Sequence, residues 1–306
     1  MRRIFLWMAD NAWLRERLPQ LWFARRAVRK FLPGEDAASA LTAGGEFAKE
    51  GITGLYTRLG EHLAKIEEAA AVADHYLGVL DAIHDRGLPG EISIKPSQLG
   101  LDFDATQTWQ HADRLATRAG EVGSFLWIDM ESSQWTEPTL QLYERLRAAH
   151  PNVGLCLQAA LHRTAADLQR LLPLDPAIRL VKGAYAEPRE IAFQGHREVD
   201  SNFAALAVEM LEAAKAGQKP RIALGTHDVR LIEQIEGHAR ALGLARTDFE
   251  VQMLYGIRVD QQRRLAREGY RVRQLISYGE AWYAWYMRRL GERPANVVFA
   301  VRQMVG

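Results

Sequence analysis

Eight short apolar runs recur along this chain, each followed by a segment with helical periodicity, and that alternation constrains the fold more than any other feature. The runs begin near Ile52 (ITGLY), Ile92 (ISIK), Phe125 (FLWIDM), Val153 (VGLCLQA), Arg179 (RLVKGAY), Arg221 (RIALGTH), Phe249 (FEVQMLY) and Val272 (VRQLIS). Between them, Leu142, Tyr143, Leu146 and Ala149 mark one helical face, and Phe203, Leu206, Met210 and Leu211 mark another. Strands that alternate with helices build a parallel sheet. Eight such units fit an α/β fold closed into a (β/α)8 barrel, with an open doubly wound sheet as the alternative. A chain of 306 residues with 48% hydrophobic content can bury the core such a domain needs.

The residues before the first run read differently. From Ile4 to Leu32, Trp7, Trp13, Trp22, Phe23 and Phe31 mix with Arg15, Arg17, Arg25, Arg26, Arg29 and Lys30, a pattern of two amphipathic helices divided near Pro19. Pro33-Gly34 breaks the pattern, and an alanine-rich helix follows to about Lys49. The expected organisation is an N-terminal helical arm over 1–48 and a barrel over 49–306. An arm of this kind packs on the barrel or lies on an anionic membrane surface.

Several classes of function are disfavoured. Lys and Arg number 39 against 38 Asp and Glu, so no general excess of positive charge points to nucleic acid. The single cysteine, Cys156, lies in an apolar run, has no disulfide partner, and fits a reduced, cytoplasmic setting. No apolar stretch reaches membrane-spanning length, and the residues after Arg3 are too interrupted for a secretory signal. There is no HExxH or CxxC pattern, and His227 and Asp228, as strand neighbours, point to opposite faces, so no metal is expected. Neither a GxGxxG turn nor a P-loop is present, which disfavours a Rossmann or P-loop nucleotide site.

A barrel places its chemistry at the C-terminal ends of its strands. Those ends supply Lys95, Asp129 with Glu131, Gln158, Lys182, Thr226-His227-Asp228, Gln252 with Tyr255, and Tyr278. Near the C-terminus, Tyr278 to Glu292 sets Arg288 and Arg289 behind an aromatic-rich segment. Two adjacent guanidiniums can grip a carboxylate, so a small organic acid is the expected ligand, while water-facing arginines on an amphipathic helix are the plain alternative. Lys182 on a strand also admits Schiff-base chemistry of the aldolase type. Against that, Gly183 and Ala184 beside it leave room for a bulky flat or phosphorylated ligand.

Taken together, Ile94-Lys-Pro-Ser-Gln-Leu-Gly-Leu101, Ile128-Asp-Met-Glu131, Cys156-Leu-Gln-Ala159, Arg179-Leu-Val-Lys-Gly-Ala-Tyr185, Gly225-Thr-His-Asp228, Phe249-Glu-Val-Gln-Met-Leu-Tyr-Gly256 and Arg288-Arg-Leu-Gly-Glu-Arg-Pro-Ala-Asn296 resemble the monofunctional bacterial proline dehydrogenases. The likeness runs in one order from about residue 51 to the end. It implies a distorted (β/α)8 TIM-type barrel that binds FAD, takes a hydride from the carbon beside the ring nitrogen of L-proline, yields 1-pyrroline-5-carboxylate, and passes electrons to a quinone. With the lone cysteine and the basic, aromatic arm, the expected location is the cytoplasm, with peripheral contact at the inner face of the cell membrane where the arm lies on it.

The resemblance carries residue roles with it. Arg288 and Arg289 would hold the substrate carboxylate, Lys95, Asp129 and Tyr185 would line the pocket, and Leu254, Leu275 and Trp285 would border the substrate ring. Gln158 and Arg179 would contact the isoalloxazine, and Lys182, Gly183, Ala184, His227, Gln252 and Glu292 would complete the flavin site. Lys95 and Arg179 are the expected catalytic pair. Some positions depart from the family pattern: Thr57 stands where an aspartate usually pairs with the pocket lysine, and Ala160, Leu275 and Trp285 replace tyrosines. These departures lead to the expectation that Lys95 lacks a counter-charge and deprotonates more easily. They also make one side of the pocket more apolar, which admits a different cyclic or secondary amine acid as substrate.

Overall fold

The computed structural model describes residues 7, 11–17, 28, 30–283, 286 and 287. Its centre is a closed barrel of eight parallel strands in sequential order. The strands are β1 (Ile52–Arg58), β2 (Gly90–Ile94), β3 (Leu126–Ile128), β4 (Val153–Gln158), β5 (Ala177–Val181), β6 (Arg221–Gly225), β7 (Phe249–Leu254) and β8 (Arg271–Tyr278). The ring closes along β1 and β8, which pair continuously from Ile52 with Val272 to Arg58 with Tyr278. Strands β1, β4, β6 and β7 begin where the apolar runs predict; β2 and β5 begin earlier, at Gly90 and Ala177, because buried strands extend past their most hydrophobic residues.

Strand side chains alternate between the helix-facing and interior sides. Ile52, Tyr56, Ile92, Ile94, Leu126, Ile128, Leu155, Ile178, Leu224, Val251 and Ile276 point outward into one continuous core with the surrounding helices. The interior set has a different character, and it is stacked in layers. At the N-terminal end of the barrel, Glu91, Arg221, Glu250 and Arg273 form an ionic floor. Arg221 lies 2.8 Å from Glu91 and 3.0 Å from Glu250, and Arg273 lies 3.0 Å from Glu91. The Trp127 indole donates to Glu91 at 2.7 Å. Above the floor sits an apolar belt of Leu55, Trp127, Ala177 and Ala223, flanked by Leu275.

Each outer helix has a local reason to form. The helix Ala105–Glu121 is capped by Asp104, whose side chain accepts from the amides of Thr106 and Gln107, and it buries Leu115, Ala116 and Ala119. The helix Ala37–Ala48 is capped by Asp36 and lies against β1 and β8, the position a helix after the last strand takes in a regular barrel. Gly44 makes that approach feasible, since a Cβ there would sit 2.0 Å from the Tyr56 hydroxyl.

Tyr278 is a correction to the sequence reading. Instead of facing the barrel mouth, it points outward, where its hydroxyl meets His75 Nε2 at 2.9 Å on the helix Glu68–Asp85. Its place in the strand explains this: Ser277 takes the interior position, so its neighbour must face the helices.

The described part of the arm is anchored beside the barrel mouth. Val28, Phe31 and Leu32 are buried, Phe31 packs on Tyr286 at 5.9 Å between ring centroids, and the Trp282 indole donates to Glu35 at 3.2 Å. Gly256, in the loop after β7, has φ +73°, and a Cβ there would meet the Lys30 carbonyl oxygen at 1.7 Å. Gly256→Ala therefore combines left-handed strain with a backbone clash. It is expected to lower stability by about 2–3 kcal/mol in chemical denaturation and to speed proteolytic cleavage near residues 30–32.

Candidate active site

The chemistry-bearing side chains gather above the apolar belt. Lys95 follows β2 directly and opens a short 3-10 turn, Pro96–Leu99, so its side chain takes an interior position at the strand's C-terminal end. Asp129 follows β3 in the same way, and Arg179 lies within β5. β2 and β3 pair side by side, but β5 pairs with neither, so closure of the barrel brings Arg179 to the other two side chains.

Asp129 is the hub. Its carboxylate accepts from Arg179 Nη2 and, at 2.7 Å, from the Ser93 hydroxyl, while Lys95 Nζ lies 3.5 Å away. Arg179 is only 4% exposed; it also donates to Ser93 at 3.1 Å and to Gln252 at 3.5 Å, and its guanidinium stands 5.4 Å from the Trp127 ring centre. Burial pushes the Asp129 carboxyl up, but the Arg179 and Lys95 charges outweigh it and hold the group below the usual carboxylate range. Burial pulls the Lys95 ammonium down, but Asp129, with smaller help from Tyr76, Glu61 and Glu131, pushes it above its ordinary value.

This overturns the expectation that Lys95 lacks a counter-charge and is easily deprotonated. β1 presents Thr57 and no carboxylate on that side, yet the carboxylate on β3 reaches the lysine from the other side. Between β1 and β2 the Tyr76 hydroxyl enters from the outer helix, accepting from the Arg58 amide at 2.9 Å and donating to the Ser93 carbonyl at 3.1 Å. It thus fills the ladder where the two strand ends part.

Further residues surround this hub. Gln158 donates to the Glu131 carbonyl at 2.7 Å, and the Glu131 carboxylate is held by the Ser97 hydroxyl and amide at 2.5 and 2.9 Å. Burial raises the Glu131 carboxyl despite those bonds. Lys182 lies past the end of β5, 2.5 Å from Asp200 and 3.4 Å from Asp228. His227 Nε2 accepts from the Leu254 amide at 3.5 Å. Leu254 and Leu275 are register partners on β7 and β8 and share the interior face. Tyr185, in the half-exposed turn after β5, reaches Glu61 at 3.5 Å.

The structure therefore places Lys95, Asp129, Gln158, Arg179, Gln252, Leu254 and Leu275 around one mouth, with Lys182, Gly183, Ala184, Tyr185 and His227 on the adjoining loops. Trp285, Arg288, Arg289 and Glu292 lie outside the described residues. Sequence reasoning missed Ser93, Tyr76 and Asp200 as partners. Ser93 was findable, since it sits two residues before Lys95 in a strand and must share its face. Tyr76 and Asp200 left no such signal. Among the described residues, no group of three or more His, Cys, Asp or Glu is placed to hold a metal ion, and no helix is long and apolar enough to cross a membrane.

Comparison with known proteins gives a consistent result. The proline dehydrogenase family model matches residues 40–302. A proline dehydrogenase of Deinococcus radiodurans is 37% identical over 283 residues, covering 91% of this chain and 90% of that protein. Proline dehydrogenase 2 of Bacillus subtilis is 32% identical over 303 residues, covering 99% and 98%. Among solved structures, proline utilization A of Bdellovibrio bacteriovorus, inactivated by N-propargylglycine, superposes with a TM-score of 0.81 at 21% identity, over 94% of this chain and 36% of that longer one.

The charge arrangement gives stability a two-sided pH dependence. The Asp129 contribution is present above the unfolded carboxyl value and is lost as pH falls through its lowered folded value. The Lys95 contribution is present below the unfolded lysine value and is lost as pH rises through its raised folded value. Asp129→Asn leaves the buried Arg179 and the largely covered Lys95 without their shared partner. It is expected to cost about 3–5 kcal/mol near neutral pH and to flatten both limbs in denaturation measured across pH.

Proposed function

Because the chain belongs to the proline dehydrogenase family, we propose that it oxidises L-proline to 1-pyrroline-5-carboxylate, with FAD as its cofactor and a quinone as the final acceptor. The observation that carries this reading is the Arg179–Asp129–Lys95 charge cluster, built on a buried arginine at the mouth of a parallel barrel.

The residues present suit a flavin. Gly183 has φ +110°, and a Cβ there would meet Ala160 Cβ and Gln158 Oε1 at 3.1 Å, so the turn after β5 is cleared of side chain beside Gln158. Arg179 and Lys182 supply fixed positive charge on either side of that turn. Bound FAD supplies an electron-accepting ring that takes up a hydride and gains negative charge. Arg179 offsets that charge without reorganising, because Asp129, Ser93 and Gln252 already hold it. Gln158, Gly183, Ala184, His227, Gln252 and Glu292 complete the cofactor set.

On the substrate side, Arg288 and Arg289 grip the carboxylate, and Lys95, Asp129 and Tyr185 line the pocket. Leu254, Leu275 and Trp285 bound the ring and exclude water from it. Lys95, kept protonated by Asp129, places a fixed positive charge in the pocket. A second reading, oxidation of another cyclic or secondary amine acid, is favoured by one observation: Leu254 and Leu275 lie side by side on the interior face and present hydrocarbon only. Aldolase chemistry at Lys182 is not favoured, since that amine is ion-paired between Asp200 and Asp228. In the same reading, residues 1–48 form an arm and 49–306 the barrel unit. The exposed Trp7 and Trp13 support peripheral contact with the inner face of the membrane, where a quinone is available.

The visible spectrum of purified protein, recorded without oxygen before and after L-proline, tests this reading. A flavin spectrum that bleaches is expected. A flavin bleached only by another amine acid reassigns the substrate, and a colourless protein overturns the cofactor. Arg288→Met is expected to raise the Michaelis constant for L-proline by an amount equivalent to about 2–5 kcal/mol; an unchanged constant removes Arg288 from the clamp.

A further inference from the structure

We propose that Glu250, on the ionic floor of the barrel, is a positioning residue for Arg179: through the Gln252 amide it fixes how that guanidinium is presented to the flavin. The inference rests on the functional reading above, in which Arg179 faces the cofactor.

Glu250 and Gln252 are two apart on β7 and so occupy successive interior layers. Gln252 Nε2 donates to Glu250 Oε1 at 2.5 Å, and Gln252 Oε1 accepts from Arg179 Nη1 at 3.5 Å. Shape alone leaves the two ends of an amide interchangeable. Chemistry does not: an ionised carboxylate only accepts and a guanidinium only donates, so the amide must turn its NH2 to the floor and its oxygen to Arg179. Glu250 is kept ionised because the Arg273 and Arg221 charges outweigh its burial and hold its carboxyl low. Glu250 is 2% exposed, and Gln252 and Arg179 are each 4% exposed, so water does not compete for these bonds.

The floor thereby sets a polarity that travels upward. Glu250 orients Gln252, Gln252 meets one side of the Arg179 guanidinium, and Asp129 with Ser93 meets the other. A cation held at both edges stabilises charge developing beside it without first rotating. Glu91 supplies an internal control. It belongs to the same floor and pairs with the same arginines, but its remaining contact is the Trp127 indole, whose ring stands 5.4 Å from the Arg179 guanidinium and gives it no hydrogen-bond acceptor, so Glu91 sets no donor–acceptor polarity at Arg179.

The experiment compares the wild-type holoenzyme with Glu250→Asp and Glu91→Asp. Each variant keeps a carboxylate for the arginines, and Glu250→Asp draws it back from Gln252 by one methylene. Three quantities are read: the midpoint potential of the bound flavin, and kcat and KM for L-proline. For Glu250→Asp the expected result is a more negative potential and a kcat lowered about tenfold with KM unchanged, while Glu91→Asp matches wild type in all three. A Glu250→Asp enzyme indistinguishable from wild type overturns the proposal, and so does an equal response from Glu91→Asp, which would make the floor a structural plug only. If Glu250→Asp does not fold, Glu250→Gln keeps the shape but frees the amide to turn. The same fall in kcat at constant KM is then expected, and a wild-type kcat overturns the proposal. A wild-type protein without proline-reducible flavin overturns the functional reading and this inference with it; proline-reducible flavin with an insensitive Glu250 overturns this inference alone.

Discussion

One carboxylate shared by two cations organises the mouth of this barrel. Lys95 and Arg179 come from strands that never pair, and their like charges would repel at close range in a site of low dielectric. Asp129 resolves that conflict by meeting both, with Ser93 filling a remaining acceptor position. Taking any of the three out of water alone is costly; together they remain ionised because each supplies the field the others need. The geometry demands a closed barrel, since an open sheet would set β2 and β5 apart. Fold and site are therefore coupled through this carboxylate.

The interior below the hub follows the same logic at larger scale. Two acids and two arginines on the floor balance each other, and the belt of Leu55, Trp127, Ala177 and Ala223 separates them from the mouth. Trp127 belongs to both levels, since its ring lies near Arg179 while its indole donates downward to Glu91. A barrel packed with hydrocarbon alone would be easier to stabilise, because buried ion pairs contribute little over apolar replacements. What charges provide is direction: each donor and acceptor has one arrangement that satisfies all, which rigidifies the wall against which Arg179 rests.

Much of this was legible in the chain, and the reasons differ by level. The eight runs marked the strands because parallel strands buried on both sides carry continuous hydrophobicity. The mouth residues followed from the rule that barrel chemistry lies at strand C-terminal ends, which placed Lys95, Asp129, Gln158, Lys182 and Gln252 correctly. Tyr278 failed the same rule because being at a strand end does not decide which face a residue takes; only the phase of alternation does, and Ser277 holds the interior phase. The counter-charge of Lys95 failed for a different reason. The resemblance drew attention to Thr57 as the position facing the lysine, but a pattern read along the chain cannot register that the carboxylate on the neighbouring strand β3 reaches the same amine. The floor left a visible trace, namely charged residues in strands that are otherwise apolar. Their mutual pairing required the closed ring, since Glu91 and Arg221 are separated by 130 positions.

The departures from the family pattern fall on a different part of the site from the charges, and that separation bears on what the proposed enzyme can select. Under the proposed function, the groups that hold the carboxylate and offset flavin charge are retained, whereas Ala160 and Leu275 alter the wall. Leu254 and Leu275 side by side offer surface without donors or acceptors. Such a wall discriminates weakly, by about 1–3 kcal/mol per methylene, and it rewards apolar bulk instead of a correctly placed hydroxyl. A wall built from tyrosines would reject ligands that leave its hydroxyls unpaired, which is the stronger filter. Under the proposed function, selectivity would therefore rest on the carboxylate grip and the volume left between the leucines. In the same reading the flavin-facing charge would be untouched by that choice, because Arg179 takes its orientation from Asp129, Ser93 and Gln252 and not from the substrate wall.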